Sequence, residues 1–276
     1  MADKRLAAFT SPNHPSRRWR RWRERGIELL LALAALSSVM VTMGIVWILV
    51  SESIPFFSHV SFREFLTGTE WTPLFENAKY GILPLLCGTL LATTIALAVA
   101  IPLGTVSAAF LSEYVGPSIR EILKPILELL AAVPTVVYGY FALLFVTPLL
   151  QRVFPSLGGF NVLSAGLVMG IMIVPYVSSL SEDAMRSVAN HLREGSFAMG
   201  ASRFQTIFRV IIPAAFSGMT SAYILAISRA LGETMVVAIA AGMQPNLTYD
   251  PTEPAATITA FIVQVSMGDL PHGSIG

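Results

Sequence analysis

The sequence predicts an all-α protein, a bundle of helices that crosses a membrane several times. Three observations carry this. Of 276 residues, 54% are hydrophobic and only 13% are charged, against roughly 25% charged in soluble domains. Several apolar runs reach about 20 residues, the length a helix needs to cross a bilayer. Most of the charges that remain gather between those runs. A net charge of +1 says nothing about partners, because placement matters here and the sum does not. The single Cys87 lies inside an apolar run, so the chain has no disulfide framework.

Residues 1–26 form a basic segment with Lys4, Arg5, Arg17, Arg18, Arg20, Arg21, Arg23 and Arg25. A basic-aromatic mix of this kind suits nucleic acid or anionic lipid. Directly before a hydrophobic span it reads as a topology anchor at the lipid surface, and no nucleic acid is expected. Residues 27–50 form the first span. It is longer than a secretory signal core and no small-x-small cleavage site follows, so it stays in place with the N-terminus in the cytoplasm. Residues 51–80 make a polar periplasmic loop with Pro55, Trp71 and Pro73 and room for a short interfacial helix.

Four further spans are expected at about 82–110, 122–150, 162–180 and 211–242. Pro84, Pro102, Pro134 and Pro175 fall within them and favour kinks, because proline removes an intrahelical hydrogen bond. Between the fourth and fifth spans lies the polar stretch 181–210. After the fifth, a turn-rich loop leads to an apolar segment, 255–267, too short to span and read as interfacial or re-entrant. Five full spans put fourteen of the eighteen Lys and Arg in the cytoplasm and only Arg63, Lys79 and Arg152 outside. That bias is what the positive-inside rule requires.

Two stretches stand out for function. In Glu194 to Pro213, the apolar residues Phe197, Ala201, Phe204, Phe208 and Ile211 recur at helical steps, with Arg203 and Gln205 off the stripe. Gly200 interrupts it where a helix would favour Ala by about 1 kcal/mol. Read blandly, this is an amphipathic connector between spans. The second stretch is Arg229-Ala-Leu-Gly-Glu233 within the fifth span. Four apart on a helix, the two charges share a face and can pair. An arginine at mid-depth costs at least about 2.5–3.5 kcal/mol on insertion scales, so it is expected to face the bundle interior or a watery path. Either it forms a structural ion pair with Glu233, or its planar donor fork receives an anion such as phosphate. Glu128, one helix earlier, is placed near the cytoplasmic interface as a solvated carboxylate, with a path role as the alternative.

The absences narrow the class. No phosphate-binding glycine loop is present, and Lys4, Lys79 and Lys124 lie outside any glycine-rich turn. His14, His59, His191 and His272 have no metal-ligand spacing, and no nucleophile-base arrangement appears. No cofactor and no enzyme chemistry are expected in this chain. Any work driven by ATP needs a second subunit that binds the nucleotide.

The order of residues from Glu194 to Pro213 resembles the EAA loop of bacterial ABC-importer permeases. It runs Glu, two small residues, Gly200 four positions later, and an aliphatic-x-aliphatic-Pro close. Gly195 and Ser196 stand where that family has alanines. With FLTGTEWTPLFENAKYGILPLLCGTLLATTIALAVAIPLGTVSAAFLSE (65–113), ELLAAVPTVVYGY (128–140), IMIVPYVSSLSEDAM (171–185) and ISRALGETMVVAIAAG (227–242), the chain is similar to PstC-type permeases of the bacterial phosphate ABC importer. The resemblance covers about residues 65–269.

That resemblance implies a type I ABC importer (MetI-like) permease domain over residues 81–276, in a multi-pass protein of the bacterial inner membrane. It implies pairing with a sister permease (PstA-like) beneath a periplasmic or lipid-anchored phosphate-binding protein (PstS-like), and two ATPase subunits (PstB-like) driving alternating access. Glu194, Gly200, Arg203 and Pro213 would then belong to the loop that docks on the ATPase, and Arg229 and Glu233 to the path for inorganic phosphate. The family carries a last membrane helix after the outer segment, so the resemblance also implies a chain that stops short of it. Rival readings are a permease of this fold for sulfate or molybdate, and a non-transporting membrane scaffold that senses phosphate.

Overall fold

The computed structural model describes residues 15–73 and 77–266. Lys4 and Arg5 of the basic segment, and the apolar segment past Ser266, lie outside the described residues, as do the side chains of Arg17, Arg18, Arg20 and Arg21. The chain divides into two units, Met1–Ser61 and Phe62–Gly276.

The first unit is one helix, α1, Pro15–His59. Its part from Trp22 to His59 contains an 18-residue stretch of mean hydropathy 2.4 and is long enough to cross a membrane. The helix continues well past Val50, where the first span was expected to end. Ser51, Ser53 and Ser58 permit this by donating to the carbonyls of Ile48, Leu49 and Pro55 at 2.9, 2.6 and 2.6 Å. A hydroxyl satisfied one turn back does not force the chain out of the helix.

The second unit opens with the short helix α2, Phe62–Thr67, and an isolated bridge between Trp71 and Tyr80. Helix α3, Leu83–Glu113, then packs along α7, Val162–Arg186, and this pair is the centre of the unit. Ala92, Ala96, Ala100, Gly104 and Ala108 recur every four residues on α3, and all are buried. Small residues at that spacing let two helix backbones approach closely in a membrane. The approach is tight: a Cβ on Gly104 would lie 2.6 Å from Val177, and one on Gly170 would lie 2.8 Å from the Ala96 carbonyl. Met169, Met172 and Ile173 fill the middle of α7 and are fully buried.

The expected third span is two helices and not one. Helix α4, Pro117–Ala131, and the segment Thr135–Gln151 meet at 82°. Pro134 sits at the break with extended backbone, and the residue before a proline is disfavoured in helical geometry. Beyond the break, α5 (Thr135–Phe141) continues through one wide turn, Ala142–Val146, into α6 (Thr147–Gln151). Asn161 then caps α7, its side chain accepting from the Ser164 amide at 2.7 Å. The next free amides of α7, Val162 and Leu163, donate to Glu253 and Pro251 carbonyls of the outer loop. In that loop the Thr252 hydroxyl and amide donate to Asp250 and hold its carboxyl below the usual carboxylate range.

The expected fifth span begins earlier and ends earlier than its apolar run. It starts at Arg203 in the polar connector and ends at Leu231. Its parts are α9 (Arg203–Thr206), a wide turn at Ile207–Ile211, and α10 (Ile212–Leu231). A separate short helix, α11 (Met235–Ala240), packs against α5. The outer apolar segment forms α12, Ile258–Ser266, whose Phe261 ring meets Trp71 edge-on at 5.4 Å. Its nine described residues are fewer than a bilayer crossing needs. Among the described residues, four helices are long and apolar enough to span, or five if the bent pair counts as one.

Candidate functional site

Helices α4, α7 and α10 enclose a cavity of about 640 Å³. The α4–α5 break contributes Glu128, Ala131 and Ala132. Helix α7 contributes Pro175, Tyr176, Ser179 and Leu180, and α10 contributes Leu225 and Arg229. The Arg229 guanidinium lies over the Tyr176 ring, 4.3 Å from its centre. Its Nε is buried and has no hydrogen-bond partner among the described residues. The cation is therefore held by an aromatic face, which leaves the in-plane donors of the fork uncommitted. A half-buried, uncommitted donor set of this kind is suited to an anion.

The Arg229–Glu233 pair expected from the four-residue spacing is not formed. Helix α10 ends at Leu231, and Gly232 closes it by donating to the Ser228 carbonyl at 3.1 Å. Glu233 thus lies beyond the helix, where the i,i+4 relation no longer holds. Its carboxylate accepts from the Val236 amide at 3.4 Å, at the start of α11, and its carbonyl accepts from the Thr259 hydroxyl at 2.8 Å. Glu233 is buried but does not line the cavity; it fixes the break that follows Arg229. Glu128, read as a solvated carboxylate, is indeed exposed, and it also lines the cavity that holds Arg229.

At the other end of α7 the polar connector folds as helix, turn, helix. Helix α8, Asn190–Ala198, stops at Gly200, whose φ of +82° is the left-handed conformation that glycine alone adopts without penalty. Ser202 and Gln205 then form a reciprocal capping box that starts α9. A hydroxyl bridge of 2.9 Å between Ser196 and Thr206 ties the two arms. The single apolar stripe expected from Phe197 to Ile211 is consequently broken. Ile211 is fully buried, whereas Phe197, Met199, Phe204 and Phe208 stay exposed, with Met199 at 89%. Glu194, Arg203 and Pro213 are exposed as well.

Two charged clusters at this end were not found from the sequence. Glu182 on α7 is completely buried, with Arg120 Nε at 2.7 Å and Lys124 Nζ at 3.0 Å from α4, and Arg186 Nε at 3.7 Å. Lys124 also meets Asp183 at 2.6 Å. The Arg120 approach lacks hydrogen-bond geometry, so its weight is electrostatic. In the second cluster, Arg193 on α8 meets Glu113 at the end of α3 at 3.2 Å. The partners are 58 and 80 residues apart, which no local spacing reveals. The only local signal is Glu182 and Arg186 at i,i+4.

Comparison with known proteins agrees with this fold. The family profile described as binding-protein-dependent transport system inner membrane component matches residues 100–266. A probable ABC transporter permease protein, YqgH of Bacillus subtilis, is 38% identical over 216 residues, covering 78% of this chain and 70% of that protein. The phosphate transport system permease protein PstC of Mesorhizobium japonicum is 32% identical over 233 residues, covering 76% and 71%. Among solved structures, a bacterial ABC transporter that imports alginate superposes with a TM-score of 0.57 at 17% identity, over 91% of this chain and 88% of that one. The inward-facing methionine transporter MetNI gives 0.50 at 16% identity, over 71% and 82%. At such identities the structures speak for the fold alone. The chain is a multi-pass membrane protein and belongs to the family of binding-protein-dependent transport system inner membrane components.

Proposed function

We propose that the chain is a permease subunit of an ATP-driven phosphate importer in the bacterial plasma membrane, with its N-terminus in the cytoplasm. The observation that carries the path is Arg229, a half-buried cation stacked on Tyr176, its Nε buried and without a hydrogen-bond partner, with no carboxylate paired to it among the described residues. Relatives at 32% identity that bear the name of phosphate transport permease support the choice of anion. In the cavity, Arg229 compensates the charge of phosphate at depth, and Glu128 and Ser179 offer acceptors to its hydroxyl protons. A sister permease completes the path, and a binding protein delivers phosphate from outside.

The exposed apolar knob of Phe197, Met199, Phe204 and Phe208 is the docking surface for a separate ATPase subunit, which binds and hydrolyses the ATP. Glu194 and Arg203 lie on the same connector, on the side of the membrane that the distribution of Lys and Arg marks as cytoplasmic. Closure of the ATPase pair moves this connector, and the permeases alternate between outward and inward openings.

Labelled-phosphate uptake in proteoliposomes containing all the subunits tests the path. Arg229→Gln is expected to reduce uptake to near background, because a neutral amide leaves the anion uncompensated. Full uptake by that variant, in a correctly assembled complex, would remove Arg229 from the path.

A further inference from the structure

The exposed knob accounts for contact with a partner but not for how its movement reaches the membrane helices. Helix α8 is only nine residues long and is bounded by a turn on one side and Gly200 on the other. Nothing in its backbone makes it rigid with the bundle. Beside the Ser196–Thr206 bridge to α9, one side chain ties it to α3 and α7. The Arg193 guanidinium donates through Nε to the Glu113 carboxylate at 3.2 Å and through Nη2 to the Met185 carbonyl at 2.7 Å. Through Nη1 it donates to the Val188 carbonyl and to Asn190 Oδ1. Arg193 and Glu113 are 14% and 10% exposed, so the junction is largely dry.

These four partners belong to three elements. Glu113 ends α3, Met185 and Val188 lie at and just past the end of α7, and Asn190 starts α8. Helix ends leave carbonyls without intrahelical donors, and here one planar fork takes two of them together with a carboxylate. Helices α3 and α7 are the same pair that packs backbone to backbone through Gly104 and Gly170. A displacement of α8 is therefore delivered to the most closely packed part of the bundle, and α7 carries Tyr176 and one wall of the cavity.

We propose that Arg193 is a positioning residue that makes the docking connector rigid with α3 and α7, so that work done on the connector becomes movement of the cavity wall. The proposal rests on the importer reading above. Lysine does not substitute, because one ammonium on a flexible stem cannot hold a carboxylate and two carbonyls in fixed directions.

The test uses the whole complex in proteoliposomes, with amounts of assembled complex matched. Phosphate accumulated and ATP hydrolysed are measured for Arg193→Ala, Arg193→Lys and Glu113→Gln. For Arg193→Ala, ATP hydrolysis is expected to stay within about twofold of the parent while phosphate moved per ATP falls about tenfold, within the range by which coupling residues act. Arg193→Lys and Glu113→Gln are expected to fall between. A purely structural residue would lower both rates together and leave the ratio unchanged, and that result overturns the proposal. A second readout does not depend on the ion. An environment-sensitive thiol probe at Val106→Cys on α3, in a Cys87→Ala background, should respond to ATP in the parent and lose that response in Arg193→Ala. If the parent takes up no phosphate, the choice of anion is wrong and the probe still decides. A full probe response in Arg193→Ala overturns the tether.

Discussion

Arg229 and Tyr176 face one another across the α7–α10 contact, guanidinium over ring at 4.3 Å, and no carboxylate among the described residues neutralises the charge. A ring stabilises a desolvated cation by about 2 kcal/mol or more without occupying its hydrogen-bond donors. On the proposed path, the arrangement would keep the fork free for an incoming anion. Tyr176→Phe retains the face and is expected to leave phosphate uptake within about twofold of the parent, since the ring supplies the effect. Tyr176→Leu removes it and should lower uptake about tenfold, the rate equivalent of roughly 1.4 kcal/mol. Equal uptake by the two variants would show that the stack does not hold Arg229 for transport.

Gly200 makes the turn between the two arms of the connector with a φ of +82°, and nothing lies within 4 Å of a Cβ built there. Space is therefore no obstacle, and the penalty for a side chain is confined to the backbone, about 1–2 kcal/mol for an ordinary L-residue. Gly200→Asn should keep most of the phosphate-stimulated ATP hydrolysis, because Asn tolerates this conformation. Gly200→Val, β-branched, should abolish it while membrane insertion continues. Normal stimulation in the valine variant would show that the turn need not keep this geometry.

Four of the five spans and the polar connector were legible in the sequence because hydropathy and charge placement act locally along the chain. The period-four run from Ala92 to Ala108 was equally available, and it marks the face on which α7 lies. The break at Pro134 was read only as a kink, since a proline reports the loss of a hydrogen bond and not the 82° that packing then imposes. Arg229 was legible by its cost in a bilayer. Its partner was not, because the i,i+4 rule assumes a helix that continues and Gly232 ends it. Glu182 and Arg193 lie in the polar stretch 181–210, where no local spacing points to α3 or α4; only the fold shows that these helices bring partners to them.

Orientation has a direct test at two exposed positions of the structure. Glu70 pairs with Lys79 at the surface, and Met199 stands at the tip of the connector. Single cysteines at these sites, in a Cys87→Ala background, should react with an impermeant thiol reagent from opposite faces: Glu70→Cys from outside intact cells, Met199→Cys only in inverted vesicles. Labelling of both from outside would overturn the placement of the connector in the cytoplasm.

Glu182 offers the sharpest statement about stability. It is fully buried, and it draws Arg120 and Lys124 of α4 onto α7 across the end of the bundle. Removing one partner of a buried ion pair costs about 3–5 kcal/mol, because the remaining charges keep their desolvation penalty and lose their compensation. Lys124 has Asp183 in reserve, whereas the Arg120 guanidinium meets no other carboxylate among the described ion pairs. Glu182→Ala should therefore lower the midpoint of thermal denaturation in detergent substantially, and Glu182→Gln by less, since the amide oxygen still accepts from one cation. Asp183→Asn should change it little, because that carboxylate is 57% exposed and surface pairs contribute about 0–1 kcal/mol. Replacing Glu182, Arg120 and Lys124 together by Leu, Met and Met should recover most of the loss, as apolar substitutes of similar volume often do. Stability and transport then separate. If the triple variant is stable but imports slowly, the α4–α7 contact has to open in each cycle through charges that water can solvate. If it is stable and imports at the parent rate, the cluster only holds the two helices together.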